Sequence, residues 1–386
     1  MRVAIVVPVY GTGVGGGATN QARGFAVEAA RRGWDVEVWT SAAKSHYDWQ
    51  NGYLSGATSE AGVIVRRFPI TTTPTAAHRE LEEAIVFGGD VTADQQFQWL
   101  HESRHSVPLY AHISEHAADR DVVITLPYAS PITHYASWAA PERIILWPCL
   151  HDEPYAYLEP TRLLLESVQG VMYNSPEELT LSEGRLGIKP RRSFVLGEGV
   201  IPLSTIAPSP LQPTSLVYVG RLEPGKNVAL LYEYVQRYAD EGGEIELLVA
   251  GSGPLAPPAH PALRYLGYIS DVEKARVLGS ALALCQPSLN ESFSLTIMES
   301  WLAQRPVLVH SACDVTRGHV QRSQGGLWFR SYDEFVGAFR WLQTHLELAQ
   351  RMGVRGRAYV QANYTWPAVI GRFGKVIAQW TEQAGG

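Results

Sequence analysis

"ALALCQPSLNESFSLTIMESWLAQ", Ala281 to Gln304, reads as a strand, a loop and a helix, in that order. It opens on a short apolar run of strand length, ended by Pro287 and Ser288. Leu295, Met298, Trp301 and Leu302 then recur at helical spacing and give an apolar stripe, with Ser294 as the helix start. Glu291 therefore falls in the loop ahead of the helix and Glu299 inside it. A retaining glycosidase would need two carboxyl groups about 5 Å apart across the scissile bond. A loop acid and a helix acid with a helix start between them do not suit that. The free N–H groups of Ser294, Leu295 and Thr296 at such a start suit a phosphate instead.

The same strand–loop–helix theme runs through the chain. "VAIVVPVY" (Val3–Tyr10) is a buried-strand run, "GTGVGGGATN" a loop, "QARGFAVEAARRG" an amphipathic helix ended by Gly33, and "DVEVWTS" the next strand. "DVVITLPY", "RIILWPCLH" and "GVMYNS" continue it, and "SLVYVGRL", "EIELLVAGSG", "ALRYLGYIS" and "RPVLVHSA" repeat it in the second half. Strands separated by helices predict an α/β fold of two doubly wound parallel-sheet domains facing a cleft, with ligands at the carboxyl ends of the strands. We expect domains over 1–200 and 215–365, a proline-rich linker over 201–214, and a C-terminal helix, 366–386, crossing back to the first domain. From Thr72 to Glu115 two helical patterns, "AAHRELEEAIV" and "TADQQFQWLHESRHSV", carry no chemistry in their spacing.

Bulk composition agrees. A chain of 386 residues, 46% hydrophobic and 18% charged, is globular and long enough for two domains. A net charge of −6 argues against nucleic acid as a partner. Cys149, Cys285 and Cys313 lie far apart among apolar residues and read as buried thiols, neither a zinc site nor a disulfide framework. The N-terminal apolar run is too short for a membrane span and carries no cleavage site, so the expectation is a cytoplasmic protein, compatible with peripheral contact at the inner membrane face.

Two further constellations carry chemistry. Gly11, Gly13 and Gly16 satisfy G-x-G-x-x-G between a strand and a helix. A dinucleotide site would also want an acid at the end of the second strand, which here ends in Trp39, Thr40 and Ser41. What survives is a glycine turn that lets backbone N–H groups approach an anion. In "VGRLEPGKN", Arg221 follows a strand and Lys226 comes five residues later across a turn. Both cations can curl back over one spot beyond the strand and suit a diphosphate. Taken alone they would equally be solvated surface charges.

"GRLEPGKN", "AGSGP", "LGYIS", "PSLNESFSLTIMES" and "RPVLV", in this order, resemble the C-terminal domain of the retaining GT-B glycosyltransferases of glycosyltransferase family 4. The E-x7-E element matches at Glu291 and Glu299, and "VPVYGTGVGGGATN" and "ILWPCLHDEP" resemble the family's Gly-Gly loop and donor-sugar histidine strand. Two departures stand out: Ser294 and Gln304 occupy positions where the family places glycine.

The resemblance implies the following roles. Arg221 and Lys226 neutralise a donor diphosphate. Ser294, Leu295 and Thr296 bind phosphate through backbone. Glu291 holds donor-sugar hydroxyls, Glu299 the ribose, and Tyr268–Ile269 the base by backbone. Gly16 and Gly17 face the phosphate or acceptor from the other domain, and His151 bonds the sugar. No cofactor and no metal are implied. The donor is a nucleotide sugar, UDP- or GDP-linked, and the acceptor a glycan, a lipid or a small molecule. Tyr128, His134, Tyr155 and Tyr157 lie near strand ends where an acceptor would sit, and equally read as packing aromatics. A GT-B phosphorylase or epimerase, or a non-catalytic nucleotide-sugar binding protein, would share the fold.

Overall fold

The structure is a computed structural model that describes residues 1–11, 16–46, 48–201 and 210–384, the side chains of 381–384 excepted. Gly13 and most of the proline segment, 202–209, lie outside the described residues. The chain divides into two compact units, Met1–Gly199 with Val369–Gly386, and Val200–Ala368.

The first unit is built on strands β1 (Arg2–Val7), β2 (Asp35–Ser41), β3 (Gly56–Glu60), β4 (Val63–Phe68), β5 (Val122–Thr125), β6 (Ile144–Leu146), β7 (Gly170–Tyr173) and β8 (Ser193–Val195). They form one sheet in the order β3-β4-β2-β1-β5-β6-β7-β8. Val3 to Val7 are buried without alternation, as a strand covered on both faces requires. The sheet is parallel except at one edge, where β3 runs antiparallel to β4. That hairpin adds one antiparallel edge to the doubly wound parallel sheet the sequence predicts. Its two-residue turn, Ala61 (φ 51°) and Gly62 (φ 83°), has both central residues at positive φ, which matches the twist of the flanking strands. The helical pattern expected from Thr92 through Val107 is broken: one helix ends at His101 and the next begins at Val107. The C-terminal helix Trp366–Ala384 has Pro367 in its first turn. From Val369 it belongs to this unit, where Phe373 meets Phe25 edge-on at 5.1 Å.

The second unit has β9 (Gln212–Val219), β10 (Glu246–Ala250), β11 (Leu263–Gly267), β12 (Ala281–Gln286), β13 (Val307–His310) and β14 (Gly326–Phe329). Their order is β11-β10-β9-β12-β13-β14, parallel throughout. β9 begins inside the segment read as linker. Its side chains alternate between two cores: Leu216 and Tyr218 pack with Phe335 and Phe339, while Val217 packs with Ile297, Trp301 and Val309. Helices therefore cover both faces, and both units are doubly wound as the alternation of strands and helices predicts. Among the described residues no helix is long and apolar enough to cross a membrane.

Candidate functional site

In the second unit the chain leaves β9 toward β10 and β11 on one side, then returns as β12 on the other. The loops after β9 and β12 thus part at the carboxyl end of the sheet, the place where such sheets bind ligands. Tyr218, fully buried, donates its hydroxyl to the Arg221 carbonyl at 2.7 Å and anchors the β9 loop from below. Asn227, in the left-handed region at φ 54°, caps the helix Val228–Asp240 and donates Nδ2 to the Pro287 carbonyl at 3.1 Å. That bond ties the two loops together. The loop after β10 packs as closely from the other side, since a Cβ on Gly251 would lie 1.8 Å from the Gly220 carbonyl oxygen.

Across this crevice Lys226 Nζ meets Glu291 Oε1 at 2.7 Å, with side chains 17% and 9% exposed. An ammonium has three donors, so two remain for a ligand after Glu291 takes one. Gln286, at the end of β12, donates Nε2 to the same carboxylate oxygen at 3.1 Å and reaches Thr296 Oγ1 at 3.4 Å. Arg221 does not converge on Lys226's partner. It pairs with Glu223 at 2.9 Å, and its side chain is 64% exposed. The two cations expected over one spot therefore hold different carboxylates.

Ser294 is the N-cap of the helix Leu295–Leu302, at φ 72° and with no side-chain capping bond. Gln304, just past the end of that helix, sits at φ 59°. Both departures from the family's glycine are thus at left-handed positions, where a side chain costs about 1–2 kcal/mol. Ser294 Oγ, Ser288 Oγ and Gln286 Oε1 are buried and have no hydrogen-bond partner among the described residues. Polar atoms left bare in this way at a strand-to-helix passage point to a ligand. Gln286 Oε1 can only accept, so it requires a hydroxyl or N–H rather than an ionised phosphate. Ser294→Gly should raise stability by about 1 kcal/mol by relieving the left-handed serine, read as a shifted urea midpoint. A fall in stability would show that contacts of the hydroxyl outweigh its backbone strain.

Glu299 lies farther along the same helix, 15% exposed, and accepts from Lys274 Nζ at 2.6 Å. Burial disfavours the charge of Lys274, but Glu299 and Asp271 more than offset it and raise the ammonium. Lys274 belongs to the helix Asp271–Ser280, which follows Tyr268 and Ile269 directly. Tyr268, 88% exposed, stands past the end of the edge strand β11. Lys226, Glu291 and Ser294–Thr296 are brought together; Glu299 is held by Lys274, which sequence spacing did not reveal.

In the first unit Gly16 (φ 129°) is the N-cap of the helix Gly17–Arg31, and a Cβ there would sit 3.5 Å from His46 Nε2. His151 follows β6 and faces Glu153, Nδ1 to Oε1 at 3.6 Å. Glu178, fully buried, accepts from the backbone N–H groups of Leu150 and Asn174 and so fixes the turn that carries His151. Burial pushes its carboxyl up to about 8. Tyr128 is buried and donates to Glu153 at 2.7 Å, His134 bonds the Tyr128 carbonyl, and Tyr157 donates to Asp152. Tyr155 lines one cavity and Tyr157, more than half exposed, lines another. Cys285 and Cys313 are buried and Cys149 partly so, and none is in a disulfide.

Residues 213–345 match the model of the family described as Glycosyl transferases group 1. Among characterised proteins, trehalose synthase of Rubrobacter xylanophilus is 24% identical over 176 residues, 40% of this chain and 41% of that one. Phosphatidyl-myo-inositol mannosyltransferase of Mycobacterium tuberculosis is 29% identical over 107 residues, 26% of this chain. The chain matches 41% and 28% of the length of those two relatives. Among solved structures, sucrose-phosphate synthase of Thermosynechococcus elongatus superposes with a TM-score of 0.71 at 16% identity, covering 99% of both chains. The Anabaena HepE protein in complex with UDP and glucose gives 0.70 at 12% identity over 98% of this chain and 99% of that one. The fold likeness embraces both doubly wound units, and the GT-B fold class stands.

Proposed function

We propose that the chain is a retaining, metal-independent glycosyltransferase of glycosyltransferase family 4. It moves a hexose from a UDP- or GDP-sugar to a glycan, lipid or small-molecule acceptor, in the synthesis of a polysaccharide or glycoconjugate. The observation that carries this reading is the Lys226–Glu291 pair beside the bare polar atoms of Gln286, Ser288 and Ser294 at the start of the helix Leu295–Leu302. The difficult step is departure of a nucleoside diphosphate. In this reading Lys226 and the N–H groups of Leu295 and Thr296 meet that developing negative charge as preorganised donors, and Arg221 joins them by leaving Glu223. Gln286 Oε1, an acceptor only, suits a donor-sugar hydroxyl, with Glu291 beside it.

In this reading Glu299 takes the ribose while Lys274 steadies its carboxylate, and the backbone at Tyr268–Ile269 takes the base. Gly16, Gly17 and His151 act from the first unit. The acceptor hydroxyl attacks the anomeric carbon from the side the diphosphate leaves, and its proton passes to the departing diphosphate oxygen. Likeness to a trehalose synthase and a mannosyltransferase supports a hexose donor without naming it. We further expect the protein to work in the cytoplasm, with its acceptor at the inner membrane face when that acceptor is a lipid.

A thermal-shift panel of UDP-, GDP-, ADP- and dTDP-sugars tests this directly. A donor present at a hundred times its Kd should add about 2.7 kcal/mol of stability. No shift with any of them would sink the nucleotide-sugar reading. Binding without transfer or hydrolysis would point to a binding protein, and phosphate-dependent release of a sugar 1-phosphate to a phosphorylase.

A further inference from the structure

The first unit holds a cavity of about 350 Å³ lined by Pro8 and Pro127, just past the ends of β1 and β5, and by residues of the segment from 72 to 115. The strand order of this sheet reverses between β1 and β5, so the cavity lies at that unit's own switch point. Its volume is at the small end of the range of about 300–1,000 Å³ for ligand sites, which leaves room for one ring and its substituents.

The walls are aromatic and the charges are unbalanced. Trp99 is buried, with His78 stacked at 5.9 Å and Tyr155 at 5.5 Å. Its indole Nε1 is a donor with no partner among the described residues. Glu82 has its charge met: His78 Nε2 lies 3.0 Å away, and Tyr155 donates to it at 3.2 Å. The other nitrogen of His78 faces the Trp99 carbonyl at 2.6 Å, so acceptors face both sides of the ring. Arg104 has no such match. Its guanidinium lies 5.6 Å from the centre of the Trp49 ring, and it makes no ion pair among the described residues. Burial works against its charge, and Glu82 only partly offsets that. An arginine fork left over after every nearby acid is satisfied is a place for an anion. On the far side His46 lies 5.7 Å from Trp49 and reaches Thr19 Oγ1 at 3.3 Å, which joins the cavity to the glycine turn at Gly16.

We propose that this cavity binds a sugar ring carrying a negative charge, a phosphate ester or a carboxylate, held by Arg104 with the ring against Trp49, Trp99 and Tyr155. Its identity as the acceptor rests on the glycosyltransferase reading; the binding does not.

Calorimetric titration of the full chain, with and without UDP, tests it using glucose 6-phosphate, glucuronate, glucose and inorganic phosphate. One or both charged sugars should bind at least tenfold tighter than glucose and than phosphate alone, and which of them does so tells phosphate from carboxylate. Arg104→Gln should abolish that preference with at most a small fall in melting temperature, since no ion pair is lost and only the contact with the Trp49 ring goes. Equal binding of glucose and the charged sugars, no binding of either charged sugar, or an unchanged preference in Arg104→Gln would overturn the proposal. So would inorganic phosphate binding as tightly as the sugars. A chain that binds UDP but no charged sugar defeats this inference alone, and one that binds charged sugars but no nucleotide defeats the transferase reading alone.

Discussion

On the proposed transferase reading, replacing Lys226 by alanine is expected to lower sugar transfer by about a hundred- to a thousandfold, the usual cost of removing one preorganised group that meets developing charge. The loss should fall on kcat, because the charge that Lys226 meets is greatest as the diphosphate departs. A complication is built into the site. Glu291 is 9% exposed and would keep only Gln286 as a partner among the described residues, so the variant also loses stability. An unpaired buried group of this kind costs about 1–3 kcal/mol. The double variant Lys226→Ala with Glu291→Gln separates the two effects. It removes the stranded charge, so the melting temperature should recover while the rate stays low. Recovery of rate along with stability would mean that Lys226 serves only to neutralise Glu291. Arg221→Ala should cost less than Lys226→Ala, since Arg221 is 64% exposed and already shared with Glu223. Transfer unchanged in both single variants would end the case for a cation-assisted leaving group.

What was legible in the sequence followed from local chemistry. Apolar runs gave β1, β9, β10 and β12, and the stripe at Leu295, Met298, Trp301 and Leu302 placed the helix with Ser294 before it. The edge hairpin escaped because β3 is exposed along almost its whole length, so no alternation marks it, and its turn is Ala-Gly rather than a stronger signal such as Asn-Gly. The break after His101 escaped for a different reason. Thr72 Oγ1 donates to the Ser103 carbonyl and accepts from the His105 N–H, so the chain leaves the helix to satisfy partners about thirty residues away. The same limit governs the sites. Lys226 and Glu291 came from residue types in loops after strands, where chemistry is expected. Lys274 sits in a helix 25 residues from Glu299, and Gln286 reads as one more strand residue until its carbonyl is found bare. His78, Trp99 and Arg104 share no spacing at all, and only the fold brings them to one cavity.

The second large effect is expected at Gly251, because there the site depends on backbone rather than side chains. A Cβ on Gly251 would lie 1.8 Å from the Gly220 carbonyl oxygen, and the residue sits at φ 145°, a conformation close to glycine-only. Gly251→Ala therefore meets two penalties. Backbone strain costs about 1–3 kcal/mol. Relieving the clash by moving backbone costs about as much again. The element that must move is the β9 loop, which is bonded to the β10 loop through Gly220 N–H to the Ala250 carbonyl and Leu222 N–H to the Ser252 carbonyl. That loop carries Arg221 and Lys226, so destabilisation and loss of nucleotide affinity should appear together. Gly225→Ala supplies the control within the same loop: its Cβ would meet nothing within 4 Å, and its φ is not positive. Urea denaturation should show Gly251→Ala lower by about 2–6 kcal/mol, the sum of the two penalties, and Gly225→Ala near wild type. Nucleotide titration should show at least a tenfold weaker Kd for Gly251→Ala alone. If both variants matched wild type in stability, the close packing of the β9 and β10 loops would not be what holds the cations in place.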